Sequence, residues 1–167
     1  MAAEEMVTIV DRHNNEIGAV ERWKMRQQKL WHRATYVLVF NSRGDLFVQK
    51  RSSTKDVFPG YYDVVAGGVV LAGEGYHESA CRELEEELGI QGVPLERLFL
   101  FPYEDQYVKV WGAAFRCEYD GEVRIQREEI ASGKFLSMTH VRDLLASAAF
   151  TPDGLYVLNR YLGRNIS

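Results

Sequence analysis

The chain has 167 residues, 46% of them hydrophobic, and a formal net charge of −4. That length suits one compact domain spanning residues 1–167, and the apolar share is enough for a real core. A mildly acidic chain lacks the positive field that general nucleic-acid binding needs, so any phosphate recognition must rest on a few local cations or on metal ions.

In chain order, the start is acidic where a signal peptide would be basic, and no apolar stretch follows it. No run approaches the roughly 18 apolar residues of a membrane span. A cytoplasmic location with no membrane contact is the resulting expectation. Residues 7–10 and 17–20 read as short strands around an Asn14-Asn15 turn, and residues 21–30 carry good helix formers. Residues 32–40 are rich in β-branched and aromatic side chains and predict a buried strand. Ser42 to Asp45 predict a turn, and residues 46–51 its hairpin partner.

Pro59-Gly60 breaks the chain before a strand over residues 61–65, which runs into Gly67-Gly68. Residues 76–88 predict a helix ended by Gly89. Residues 95–103 and 107–117 read as a strand pair, and residues 122–126 and 134–138 as weaker strands. Helices are expected over residues 139–148 and 152–162, the second with Thr151 as cap and Pro152 at its first position. Strands arranged around one central helix, with helices closing the chain, predict an α/β/α layered domain with a mixed sheet. Cys81 and Cys117 are far apart and outside any CxxC pattern, which excludes a disulfide scaffold and predicts two reduced core thiols.

The informative segment is GVVLAGEGYHESACRELEEELGI, residues 68–90. Glu83, Glu86 and Glu87 stand at i, i+3 and i+4, so a helix places their carboxylates in one narrow stripe. Ala80, Cys81, Leu84 and Leu88 fall on a separate stripe that can face the core, and Glu78 and Glu85 on a solvated arc. Like charges at this spacing repel. Two arrangements relieve the repulsion: a solvated acidic face with Lys or Arg partners, or a hard divalent cation. Gly67-Gly68 lets the backbone turn closely and can offer carbonyl oxygens to a metal. Glu74 lies eight residues before Arg82, so the loop can fold back and let the pair bond, either as a surface ion pair or as a bridge that orients ligands.

These residues resemble the Nudix signature, G-x5-E-x7-R-E-U-x-E-E-x-G-U with U a bulky aliphatic. Gly68, Glu74, Arg82, Glu83, Leu84, Glu86, Glu87, Gly89 and Ile90 fill every specified position. The resemblance implies a Nudix α/β/α sandwich with its core at about residues 32–148, an N-terminal strand and helix extension, and a C-terminal helix. It implies Mg²⁺, or Mn²⁺, held by Glu83, Glu86 and Glu87 with a carbonyl of the Gly67-Gly68 turn, here assigned to Gly67. Glu74 and Arg82 become organisers of loop and helix. The implied reaction is hydrolysis of a phosphoanhydride in a nucleoside diphosphate linked to another moiety. The base is left open among Glu86, Glu87 and the later Glu128 and Glu129. The expected partner is a small-molecule diphosphate, and a homodimer stays among the possible assemblies.

Residues 32–68 also look like the isopentenyl-diphosphate isomerase branch of the superfamily and the bacterial Nudix hydrolases related to it, through His32, Arg51, Lys55, Pro59 and Gly60. That resemblance makes Arg51 and Lys55 diphosphate ligands. The isomerase needs a cysteine where this chain has Ala66, a histidine where it has Gly68, and acidic residues where it has Val108 and Val110. Hydrolysis is therefore expected. Isomerisation and non-catalytic nucleotide sensing are the alternatives. Tyr61, Tyr62, Phe101, Tyr103 and Trp111 could stack a base or pack in the core.

Overall fold

The structure, a computed structural model, describes residues 5–163; the first four residues of the acidic start lie outside the described residues. Its elements run β1 (Met6–Val10), β2 (Glu16–Glu21), α1 (Arg22–Gln28), β3 (Trp31–Phe40), β4 (Leu46–Arg51), β5 (Tyr62–Asp63), α2 (Tyr76–Leu88), β6 (Glu96–Glu104), β7 (Lys109–Glu118), β8 (Ile130–Leu136), α3 (Met138–Leu145) and α4 (Pro152–Tyr161). The strand expected over residues 61–65 shrinks to β5. Residues 122–126 form no strand. Arg124 N–H instead donates to Leu88 C=O and Gln126 N–H to Glu87 C=O, at 2.9 and 2.8 Å. The segment thus satisfies carbonyls that the C-terminal end of α2 would leave without partners.

β3 is the axis of the sheet. It pairs in parallel with β7 along its whole length, from Trp31↔Lys109 to Phe40↔Glu118. On its other side Ile9 of β1 pairs with His32, and Phe40 pairs with Leu46 of β4. Between those ends the sheet accepts the connection before α2, through bridges Val37↔Ala66 and Ala34↔Val69. β8 extends the sheet beyond β4, and β6 beyond β7. The Gly67-Gly68 turn is therefore held against the middle of the sheet.

Alternation along β3 separates two cores. Ala34, Tyr36, Leu38 and Phe40 face one side and pack with Phe101, Val141, Val157 and Leu158, under α3 and α4. Val37 and Val39 face the other and pack with Ala80, Leu84, Leu88 and Phe115, under α2. Helices on both faces of a mixed sheet make the α/β/α sandwich that the element order predicts. A third, smaller cluster of Val7, Ile9, Met25 and Val69 anchors α1 and the first hairpin. Among the described residues no helix is long and apolar enough to cross a membrane.

Candidate active site

Helix α2 carries the acidic stripe. Its N-terminal turn is tied by Glu78, whose carboxylate accepts from Gly75 N–H at 3.3 Å, and it ends at Gly89 in a left-handed conformation with φ 68°. The buried face holds Ser79, Ala80, Leu84, Glu87 and Leu88. Cys81 is exposed, contrary to the expected core thiol, whereas Cys117 is buried. It lies about 100° around the helix from Ala80, past the edge of a buried arc that leans toward Glu83 and Glu87. The acidic stripe and the apolar stripe adjoin, and Glu87 belongs to both.

Arg82 gathers the stripe and the preceding loop. Its guanidinium donates to both Glu74 oxygens, at 2.6 and 2.9 Å, to Glu83 Oε1 at 2.9 Å and to Glu86 Oε2 at 3.1 Å. Glu74 also accepts from Leu71 N–H at 2.9 Å. Burial alone would raise the Glu74 pKa, but the Arg82 hydrogen bonds and the Leu71 amide hold it below the usual carboxylate range. Glu83 and Glu87 are neighbouring carboxylates on α2, and burial pushes both upward, Glu87 well above its ordinary value. The Glu83 charge adds to the rise at Glu87, and Lys55 opposes it.

A buried carboxylate with too little countercharge is the electrostatic setting that a divalent cation relieves. Gly68 sits directly against this group, since a Cβ there would fall 2.8 Å from Glu83 Oε1. At Gly67, with φ 138°, a Cβ would fall 2.1 Å from the Thr35 carbonyl oxygen, so only glycine fits. Among the described residues the acidic side chains do not close into a cage of three or more ligands. Arg82 holds Glu83 and Glu86 from the loop side. The donor set is hard oxygen throughout, which suits Mg²⁺ or Mn²⁺ completed by water and substrate oxygens.

Two cavities meet at the Gly67-Gly68 turn. The acidic groove is lined by Glu83, Glu86, Glu87, Gln126, Glu128 and Glu129. The inner cavity reaches Gln49, Arg51, Asp63 and Asp153. Arg22, Lys55, Gly67 and Gly68 line both. Lys55 donates to the Glu129 carboxylate across the groove. Arg51 donates twice to Val57 C=O, at 3.1 and 2.9 Å, and lies 3.6 Å from Asp63 Oδ2. The structure thus brings Glu83, Glu86, Glu87, Lys55 and Gly67 around one groove, with Arg51 in the adjoining cavity, while Arg82 and Glu74 stand outside the groove lining and reach it through the Arg82 bonds to Glu83 and Glu86.

Sequence reasoning missed Arg22, Arg26 and Asp56, which form a network with Glu5. Arg22 lies 3.1 Å from Glu5 and 3.6 Å from Asp56, and Arg26 lies 3.2 Å from Asp56. The available signal was the i, i+4 spacing of the two arginines on a short helix. Asp63 and Asp153 were missed because each looks like an ordinary turn or cap residue. His32 is buried, hydrogen-bonded through Nδ1 to Leu30 C=O at 2.9 Å, and burial lowers its pKa to about 4. Phe101 is fully buried against Tyr36 and Tyr156, and Tyr62 stacks on Phe150. Trp111 donates its indole N–H to Arg12 C=O at 3.0 Å.

Comparison with known proteins shows the family and the fold. The NUDIX domain family matches residues 30–156. An uncharacterized Nudix hydrolase, YfcD, of Salmonella typhi is 44% identical over 165 residues, covering 99% of this chain and 89% of the relative. An uncharacterized Nudix hydrolase of Pseudomonas aeruginosa, PA4841, is 39% identical over 158 residues, covering 95% of this chain and 94% of that one. The crystal structure of DR0079 from Deinococcus radiodurans superposes with a TM-score of 0.81 at 25% identity, covering 93% of this chain and 98% of that one. The NUDIX domain of Shewanella oneidensis NrtR, solved with ADP ribose, shares the fold at a TM-score of 0.63 and 13% identity, covering 80% of this chain and 86% of that one. With a family match over most of its length, full-length relatives and an intact acidic helix, the chain belongs to the Nudix family and is one of its pyrophosphohydrolases.

Proposed function

We propose that this enzyme hydrolyses, with Mg²⁺ or Mn²⁺, a phosphoanhydride bond in a nucleoside diphosphate linked to another moiety. The observation that carries the reading is the facing of opposite charges across one groove: Glu83, Glu86 and Glu87 on α2, with Lys55 and Arg22 on the same walls. Glu83, Glu86, Glu87 and the Gly67 carbonyl would hold the metal. When bound, it neutralises diphosphate oxygens and makes water a better nucleophile at neutral pH.

The protein's own groups do the rest. Arg82 fixes Glu83 and Glu86 while spending its other donors on Glu74, so the ligands are oriented before substrate arrives. Lys55 and Arg22 stand where two adjoining phosphates would bridge groove and inner cavity. Arg51, though engaged with Val57 and Asp63, keeps a guanidinium on the inner cavity for the same diphosphate. Glu86, Glu128 and Glu129 line the groove as acceptors for the proton that the attacking water gives up.

The scaffold is that of the isomerase-related branch, and the reaction is hydrolysis. Ala66 borders the inner cavity with its methyl packed in the core under α2, and Val108 and Val110 are apolar, so none of the three can move a proton at carbon. The deciding experiment assays purified protein with Mg²⁺ against a panel of nucleoside-diphosphate derivatives, resolving products by chromatography. A nucleotide product above the background of Glu86→Gln is expected. No cleavage of any member, with Mg²⁺ or Mn²⁺, would overturn the reading.

A further inference from the structure

Lys55 and Glu129 face each other across the groove and are bonded in the free enzyme. The Lys55 ammonium donates to the Glu129 carboxylate, and the two side chains are 17% and 37% exposed. Lys55 lines both the groove and the inner cavity, whereas Glu129 lines the groove alone. The two segments are also joined through the backbone, since Ser52 N–H donates to Glu129 C=O at 2.9 Å. The turn that carries Glu129 is fixed to α2. Gln126 N–H donates to Glu87 C=O at 2.8 Å, and the N–H groups of Glu129 and Ile130 donate to Gln126 C=O at 3.0 and 2.8 Å. The backbone under Glu129 is therefore tied to the helix of the candidate metal ligands, and its side chain is the part that can change partners.

Three other groove acids are already committed. Arg82 holds Glu83 and Glu86, and Glu87 is buried. Among the described residues the Glu129 carboxylate bonds to Lys55 alone. A carboxylate bonded to an ammonium is a poorer proton acceptor than a free one, because the cation favours its charged form. A diphosphate carries more charge than a carboxylate and presents more oxygens, so it competes well for the same ammonium.

We propose that Lys55 exchanges partners when substrate binds: the diphosphate takes the ammonium from Glu129, and the released carboxylate serves as the general base. This assignment rests on the hydrolase reading. Glu129 takes a proton from the water whose oxygen bonds to phosphorus. The bond from that phosphorus to the bridging oxygen breaks, and its electron pair leaves on the departing phosphate. The base is thus covered in the free enzyme and uncovered only with a diphosphate in place.

Two measurements test the exchange on Lys55→Met, Glu129→Gln and the double variant, each checked for folding by thermal melt. Binding of α,β-methylene-ADP, a diphosphate that resists cleavage, is read by calorimetry with Ca²⁺. Turnover is read with Mg²⁺ on the most rapidly cleaved member of the nucleoside-diphosphate panel. Glu129→Gln should bind the probe about 2- to 5-fold more tightly, as expected when a partly exposed ion pair no longer competes. Its kcat should fall about 100-fold or more. Lys55→Met should weaken binding, and in that background Glu129→Gln should no longer tighten it, as a direct exchange requires. Tightening that persists without Lys55 would be general charge repulsion and would overturn the exchange. So would a loss of kcat with no tightening, or a wild-type protein that does not bind the probe. A Glu129→Gln enzyme near the wild-type rate would overturn the base and leave the hydrolase reading standing. If the wild type cleaves no member of the panel, the base falls together with the hydrolase reading.

Discussion

Arg82 Nε lies 2.6 Å from Glu74 Oε2, which locks a loop residue to a helix residue eight positions later in a fork-to-carboxylate pair. The same guanidinium reaches Glu83 and Glu86. One side chain therefore sets the position of the loop and of two candidate metal ligands.

Arg82→Ala should lower kcat by about 10- to 100-fold, the usual effect of removing a residue that orients metal ligands. KM should change less, because Arg82 does not face the inner cavity. Steady-state kinetics at saturating Mg²⁺ checks this. A rise in KM with kcat untouched would make Arg82 a substrate ligand instead.

Glu86→Gln and Glu87→Gln should each cut turnover by orders of magnitude, since a neutral amide is a much weaker ligand for a hard cation. Glu86 is exposed, so its variant should keep the wild-type melting temperature. Near wild-type rates in both variants at limiting Mg²⁺ would sink the metal assignment.

Asp63 gives the protein a defined acid-side stability profile. Burial, opposed by Arg51, raises its pKa from 3.8 to about 6. A carboxyl that holds its proton more tightly when folded favours the fold below the unfolded pKa. That advantage fades as pH rises through the folded pKa. Asp63→Asn should thus gain stability relative to wild type between pH 4 and 6, by up to roughly 3 kcal/mol. Urea unfolding of both proteins at pH 4.5 and 7.5 measures the change. A pH-independent difference would refute it.

Isopentenyl diphosphate, incubated with the protein and metal in heavy water, should show no enzymatic deuterium uptake and no dimethylallyl product. Ala66 is buried and pairs with Val37 through hydrogen bonds of 2.7 and 2.9 Å. Its methyl group cannot serve as acid or base in any environment. Ala66→Cys should also fail, because Gly68, Val108 and Val110 supply no metal-ligating side chain of the kind the isomerase needs.

Helix α2 was legible to the residue because its ends are local features: Gly89 terminates it and Gly75 opens it. The acidic stripe and the Glu74 to Arg82 bridge were legible too, since both follow from spacing along one short segment. The core-facing arc was legible at Ala80, Leu84 and Leu88, but its edges were not: packing against β3 and β7 leaves Cys81 exposed and Glu87 buried. The role of residues 122–126 was hidden for a similar reason: their partners are carbonyls at the end of α2, some 35 residues away. Asp63, Asp153 and Gln49 come from three separate elements, and only the folded sheet brings them to one cavity.

The first hairpin and α1 precede the stretch that matches the family, yet Arg22 and Arg26 line the inner cavity from α1. The glutamates stand on α2, behind a different core. Changes in the opening thirty residues can therefore alter which molecule is admitted while the bond-breaking groups keep their places. A lineage could change its diet through this appendage alone, inheriting the reacting helix intact.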